Sequence, residues 1–573
     1  MTNILEALAA AKATLMAPGA PFELSECEVD GRRATVYRNA FATLPQLIDA
    51  GRVHGDKPFI VYQGEVWTFA RFFADVDAMA GQLHALGVRR GERIAIAMRN
   101  RPEWAVAFAA AALIGAVPAP INSFGLRGEL RGALADLAPR FVFCDPERFE
   151  RLEGDCGVPD CRIVLTAGEC GAGITAPLSY SALVGAPPVS FPRVDPAPDE
   201  PALILFTSGA SSHPKGVLST QRAVCQALFN IDFIGAVSAM TSPQAVAAMM
   251  QRGLAPTTLT AVPLFHVSGL HAQLLSALRN GRKLVFMHRW DPVQALDLIH
   301  SERVTQFNGA PAMVAQLLAT PGFNDPDVTG SLGGLGFGGA GLPQSLIREV
   351  FERRPEGMSG IGFGLTETNG VGTAGSGQLF RYKPASSGVP SPIIGIRIVD
   401  AEGTSLPPGE PGEIWLRGVT VMHEYWRNPD ASSKALVDGW FRTGDVGYVD
   451  EEGFLFVIDR IKDIINRSGE KIAAAEVESC LLEHPAVREA AVFSLPDEMT
   501  GEAVIAAVTV DDASPTMSEV LRTHVAAHLA AYKVPAMIHV RSIALPRNPA
   551  GKLLKSLLKK EYSAARGGLD KLD

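Results

Sequence analysis

Apolar residues recur at helical spacing over residues 72–86: Phe72, Phe73, Val76, Met79, Leu83 and Leu86 share a face, and Gly87 follows as a C-terminal stop. The run "RIAIAM" at 93–98 is continuously apolar and predicts a buried strand, with a helix over 104–116 after it. The same alternation returns in "RFVFCD" (140–145), "CRIVLTA" (161–167), "ALILF" (202–206), "KLVFM" (283–287) and "VTQFNG" (304–309). Helical stretches such as "DPVQALDLIH" and "APAMVAQLLA" separate several of them. Short apolar strands alternating with helices predict α/β sheets built from βαβ units. After about residue 385 the texture changes to short strands between turn residues, "GVPSPIIGIRIVD", "GEIWLRG" and "GFLFVIDR", which predicts a β-rich subdomain. Near 460 a third texture begins, with helical "AAAEVESCLLEH" and "SEVLRTHVAAHLAAY" around strand-like "AVREAAVFSLPD" and "EAVIAAVTV". This last stretch, roughly 110 residues, is enough for a small α+β domain.

A length of 573 residues exceeds what one core serves, so two or more domains are expected. A net charge of −9 with no basic block argues against nucleic-acid binding. Seven scattered cysteines, odd in number and irregular in spacing, read as free thiols in a reducing cytosol. The N-terminus lacks the basic and apolar regions of a signal peptide. The segment 104–121 comes nearest to a membrane span, but its alanines, glycine and prolines suit a buried helix that ends at a turn. A cytoplasmic protein without a transmembrane segment is expected. Peripheral membrane contact and homo-oligomerisation stay open.

One loop carries candidate chemistry. "FTSGASSHPKG" (206–216) follows the strand "ALILF" and precedes "VLSTQRAVCQALFN", which has helical spacing. A loop rich in glycine and hydroxyls between strand and helix can turn its N–H groups toward phosphate oxygens, helped by the helix N-terminus. Lys215 adds a mobile positive charge. Alone, the loop reads as an ordinary strand-to-helix turn, since its spacing is not that of a P-loop.

The rest of the chain changes that reading. "FTSGASSHPKG" resembles the "TSGTTGxPKG" signature of the adenylate-forming superfamily. Further motifs follow in that family's order: "PLFHVSGL" (263–270), "FGGAGLP" (337–343), "GFGLTET" (362–368), "GEIWLRG" (412–418), "GWFRTGD" (439–445), "DRIKDIINRSGEKIAAAEVE" (459–478) and "PRNPAGK" (546–552). The resemblance spans nearly the whole chain. It implies an N-terminal adenylation domain at 1–460, made of two α/β subdomains and a β-rich one. A small mobile C-terminal domain at 461–573 would carry the catalytic lysine. It also implies two half-reactions: a carboxylate attacks the α-phosphate of ATP, and a thiol, usually coenzyme A, then displaces AMP.

The same resemblance assigns roles by position. Thr207, Ser208, Gly209 and Lys215 match the loop that handles the β- and γ-phosphates. Ala210, Ser211 and Ser212 depart from the family's Thr-Thr-Gly. Thr366 would contact the α-phosphate, and Glu367 would hold Mg²⁺ as a hard oxygen ligand. Gly339, Ala340, Phe363 and Gly364 match segments flanking adenine; the family usually has Tyr where Phe363 stands. Asp445 matches the acceptor of both ribose hydroxyls, and Arg460 lies near ribose and phosphate. Lys462 matches the hinge. Lys552 would bridge carboxylate and α-phosphate, reducing their repulsion. The swing of the small domain would exchange Lys552 for the face near Gly469.

The acid is less legible. His266 stands where amino-acid adenylation domains usually carry aspartate, and no carrier domain follows Lys552; both disfavour amino-acid activation. His266 gates the acyl site in this reading. Phe229 and Phe233 are expected in the acyl pocket wall, with Gly309, Gly336, Gly338 and Gly364 leaving room. The expectation is an acyl-CoA ligase for a medium- or long-chain fatty acid or a bulky aryl or ring-bearing acid. Transfer to a carrier protein or an amine is one alternative; a non-catalytic nucleotide-binding member is another.

Overall fold

The computed structural model describes residues 3–167, 176–207, 214–338, 342–511, 513–548 and 551–569. Two parallel-rich sheets dominate the N-terminal part. The first has five parallel strands in the order Val117–Pro120, Arg93–Ala97, Phe141–Cys144, Arg162–Leu165, Leu178–Ser179. The second has nine strands. Six of these, from Pro58–Tyr62 to Gly360–Phe363, run parallel, and antiparallel strands close both edges. The helices Phe69–Ala85 and Pro102–Leu113 bury Phe72, Phe73, Trp104 and Phe108 in the core between the sheets. Pro102 stands in the first helical turn, where its missing N–H costs nothing.

The β-rich part is an antiparallel sheet of Ile394–Val399, Gly412–Gly418, Trp440–Val449 and Leu436–Val437, with Leu455–Arg460 paired to Trp440–Val449. Residues from Ile464 onward build their own sheet, covered by the helices Ala474–Leu482 and Met517–His528 around a separate core that includes Ile465, Val477, Leu481, Leu521 and Val525. A large α/β body and a small α+β body agree with the fold class read from the sequence.

Three local expectations change. First, the glycine and hydroxyl-rich loop does not run from strand to helix. It joins two antiparallel strands, Pro201–Phe206 and Gly216–Thr220, and the helix begins only at Gln221. "GVLST" carries β-branched residues and buries Val217 and Leu218, so it satisfies its backbone in a ladder ahead of the helix. Second, the 104–121 segment is not the nearest to a membrane span. The helix Gln221–Thr241 is long and apolar enough by length and composition. It packs inside the fold, where buried Asn230 bonds to Tyr37 and Ser391, and Asp232 pairs with Arg279.

Third, Phe229 and Phe233 do not stand free as pocket walls. An N-terminal helix, Ile4–Leu15, and the hairpin Leu24–Val29/Arg32–Tyr37 cover this face. The Phe22 ring lies 5.1 Å from Phe229 and 5.5 Å from Phe233, and Tyr37 lies 5.5 Å and 5.7 Å from the same pair. Edge and tilted contacts at such spacings are favourable beyond area burial alone. Phe22→Ala is expected to cost about 3 kcal/mol through the cavity it opens. A lowered denaturation midpoint of the variant checks this; an unchanged midpoint would show that the segment does not stabilise the helix.

Candidate active site

Four neighbouring parallel strands converge on one edge. Thr257–Thr260, Gln306–Gly309, Gly334–Phe337 and Gly360–Phe363 lie side by side. Their carboxyl ends lead to His266, Ala310, Gly338 and the Gly364–Glu367 turn. Ligands of open α/β sheets bind at such ends.

The turn is tightly built. A Cβ on Gly364 would lie 2.4 Å from the carbonyl oxygen of Gly370, so only glycine permits that approach. Gly336 is likewise closed, with Asn308 Oδ1 2.1 Å from its would-be Cβ, and Gly309 faces the Phe307 ring. These three are packing glycines and do not enlarge a pocket; Gly338 alone faces open space. Asn369 takes a left-handed conformation at the end of the turn. Its amide donates to Thr420 O at 2.9 Å and its Oδ1 accepts from His271 Nε2 at 3.1 Å.

Glu367 points into a recess. Tyr425 Oη donates to its Oε1 at 2.8 Å, and Met422 N–H donates to its backbone oxygen at 2.7 Å. Lys215 Nζ sits 4.7 Å above the Tyr425 ring. Burial raises the Glu367 pKa, against the Tyr425 hydrogen bond and the charges of Arg460 and Lys215. The loop bearing Lys215 is pinned at its base: Thr207 N–H donates to Lys215 O at 2.9 Å, and Lys215 N–H donates to Thr207 Oγ1 at 3.2 Å. Ser208 and Gly209, with Ala210, Ser211 and Ser212, lie outside the described residues, as do Gly339 and Ala340. Thr366 opens the turn and Phe363 packs partly buried beside Leu365 and Val371.

Asp445 is 5% exposed and stands opposite Arg460 in the ladder, where Arg460 Nε is 3.1 Å from Oδ1. Burial raises its pKa; Arg460, Lys552 and Lys462 oppose that. Lys552 reaches the same place from the small domain. Its pKa is lowered to about 8 by burial first, then by Arg460, with Asp445 pulling the other way. Gly551 holds the contact: at φ +81°, a Cβ there would lie 2.9 Å from Ala310 Cβ. Lys462 lies in the short turn Ile461–Asp463 that leaves Arg460, and its pKa is lowered by burial and by Arg460. Asp459 latches this turn, accepting from Arg460 N and from Ala475 N at 3.0 Å. Gly469 is exposed in the tip of the hairpin Ile464–Arg467/Glu470–Ala473, at φ +92°, away from the Lys552 contact.

His266 is enclosed by protein yet keeps some accessible surface, as a side chain on a cavity wall does. Burial lowers its pKa to about 4, so it is neutral at pH 7. Its ring lies 4.5 Å from Phe265, and Val267 touches Gly370. An open recess of about 460 Å³, lined by Lys215, Tyr425, Lys434, Arg442, Thr443 and Gly444, lies beside Asp445. Tyr425, His271 and Asn369 are the residues that motif reading missed. Tyr425 lies in the short strand Glu424–Tyr425, between two of the motifs, and only its hydrogen bond to Glu367 reveals it.

The pattern of AMP-binding enzymes matches residues 48–426, and that of the AMP-binding enzyme C-terminal domain matches 476–552. The chain belongs to the AMP-binding enzyme family. It is 32% identical over 506 residues to a long-chain-fatty-acid–CoA ligase, FadD13, of Mycobacterium tuberculosis, covering 87% of this chain and 93% of the relative. It is 33% identical to an indoleacetate–CoA ligase of Aromatoleum aromaticum, covering 85% and 92%. Among solved structures, o-succinylbenzoate CoA synthetase of Bacillus subtilis with ATP and magnesium superposes with a TM-score of 0.73 at 30% identity, over 90% of this chain and 98% of that one. This AMP-binding enzyme thus has the adenylate-forming fold.

His271 supplies a test of this packing. It is 1% exposed, and Asn369 fixes its proton on Nε2, leaving buried Nδ1 unpartnered. Its folded pKa is about 4 against 6.5 for the free group. The stability it contributes is complete above pH 6.5 and is lost as pH falls from 6.5 toward 4, where the unfolded chain binds the extra proton. His271→Gln should flatten the fall in Tm across that window; a slope equal to wild type would refute this.

Proposed function

We propose that the chain is an ATP-dependent, AMP-forming acyl-CoA ligase that activates a hydrophobic carboxylic acid through an acyl-adenylate. The observation that carries the reading is the docking of Lys552 at the Asp445–Arg460 pair. Four cations, Lys215, Arg460, Lys462 and Lys552, stand against three carboxylates, Glu367, Asp445 and Asp463, in one electrostatically linked group. That excess suits a polyanion such as ATP.

Glu367 fits Mg²⁺. Its Oε1 is oriented by Tyr425, and Oε2 is an oxygen donor of the type a hard cation takes. The cation would neutralise charge on the phosphate oxygens. Asp445 accepts the ribose hydroxyls, with Arg460 holding its other edge. Thr366 and Lys215 donate to phosphate oxygens as negative charge moves toward pyrophosphate. Lys552 holds the carboxylate against the α-phosphate; the acid oxygen forms its bond to phosphorus as the bridge to pyrophosphate breaks. In the second half-reaction the small domain turns about Lys462 and brings the Gly469 hairpin to the site. The CoA thiolate then attacks the acyl carbon, and AMP departs with the C–O bond.

His266, neutral, forms a wall that neither repels nor neutralises the carboxylate. Phe22 and Tyr37 fill the helix face that a long chain would use. That filling favours a compact ring-bearing acid over a long-chain fatty acid.

Pyrophosphate release measured across aryl, ring-bearing and long-chain acids should be strongest with the ring-bearing ones, and AMP release should require CoA. Release with no acid dependence would sink the ligase reading; AMP release only with a carrier protein would move it to that acceptor. A second outcome concerns Lys552. The ammonium form is the active one, so kcat/KM for adenylation should fall as pH rises through about 8. Lys552→Arg should remove that limb, and Lys552→Ala should abolish adenylation while sparing thioester formation from supplied acyl-adenylate.

A further inference from the structure

Far along the chain from the adenylation motifs, two helices of the small domain bring together side chains that no step above uses. Cys480 lies on Ala474–Leu482; His524 and His528 lie four residues apart on Met517–His528, so they share a face. One ligand atom from each lies within 4.8 Å of the others. The cysteine is 6% exposed, His524 is half-buried and His528 is exposed.

The hydrogen bonds fix the tautomers. A backbone carbonyl only accepts, so His524 Nε2 donates to Cys480 O at 2.9 Å, and His528 Nδ1 donates to His524 O at 2.8 Å. In the neutral rings the lone pairs then sit on His524 Nδ1 and His528 Nε2. Metal-ligating histidines carry this backbone-carbonyl support on the other ring nitrogen. His484, whose ring is 5.2 Å from His524, is excluded by the same logic. Its Nδ1 accepts from Ala486 N at 3.3 Å, so its proton is on Nε2. Glu476 and Glu483 surround the thiol with negative charge.

We infer that Cys480, His524 and His528 form a site for a zinc-class divalent ion that joins the two helices, with water in the fourth position. One thiolate and two imidazoles suit zinc or cobalt and not Mg²⁺ or Ca²⁺. Ligand atoms of tetrahedral zinc lie about 3.4–3.7 Å apart given bonds of 2.0–2.3 Å. Binding releases the Cys480 proton, which burial and the two glutamates otherwise retain.

The test uses the untagged full chain, stripped with chelator and titrated with Co²⁺ and then Zn²⁺. The expected result is one high-affinity equivalent with a thiolate-to-cobalt charge-transfer band, displaced by Zn²⁺. Cys480→Ser should lose the band, and both it and His528→Gln should weaken binding at least tenfold. His528 is at the surface, so its variant keeps the fold. Cys156→Ser/Cys161→Ser should bind as wild type. No charge-transfer band, or wild-type affinity in Cys480→Ser or in His528→Gln, would overturn the site.

Discussion

Positive charges held together in a partly dry recess are the constraint on which the candidate site turns. Arg460 makes it harder for Lys462 and Lys552 to stay charged, and Lys462 adds to the effect on Lys552. Asp445 offsets part of this, and it can do so because the ladder sets it opposite Arg460. The same ladder leads directly into the turn where the small domain departs. Strand pairing, charge balance and domain connection are therefore one piece of structure. In the proposed reading, a ligand with several negative charges, such as a nucleotide triphosphate, would relieve the repulsion that the protein alone leaves in place.

Much of this was legible in the sequence. The alternation of apolar strands and helices defines the parallel sheets, because strands buried on both faces read as continuous apolar runs. Asp445, Arg460 and Lys552 lie more than ninety residues apart at the extremes, yet the motifs place them in one site. What failed was local. Val217 and Leu218 have helix-compatible spacing with the residues that follow, but they bury themselves in a hairpin, and only the partner strand decides between the two. Gly336 and Gly364 looked like space and proved to be contact, because a missing side chain can serve either purpose. The motif-free residues Tyr425 and Asn369 act through partners far away in sequence. Spacing rules carry no information about such pairs.

The N-terminal residues before the family match at 48 are not an appendage. Their aromatic rings complete the packing of a helix that would otherwise present Phe229 and Phe233 to a cavity. Burial keeps His266 neutral; in the proposed reading, a charged imidazole there would compete with Lys552 for the acid's carboxylate.

Gly551 has a wider meaning than its packing. The lysine loop can reach Ala310 only because no methyl group projects from that residue, and its backbone angle excludes most alternatives. In the two half-reactions proposed above, the fit of the lysine loop would therefore depend on a keyway one carbon wide. A side chain at that point would leave every reactive group intact and still uncouple the first reaction from the second. The chain would become a thioester-forming enzyme dependent on an activated acid made elsewhere.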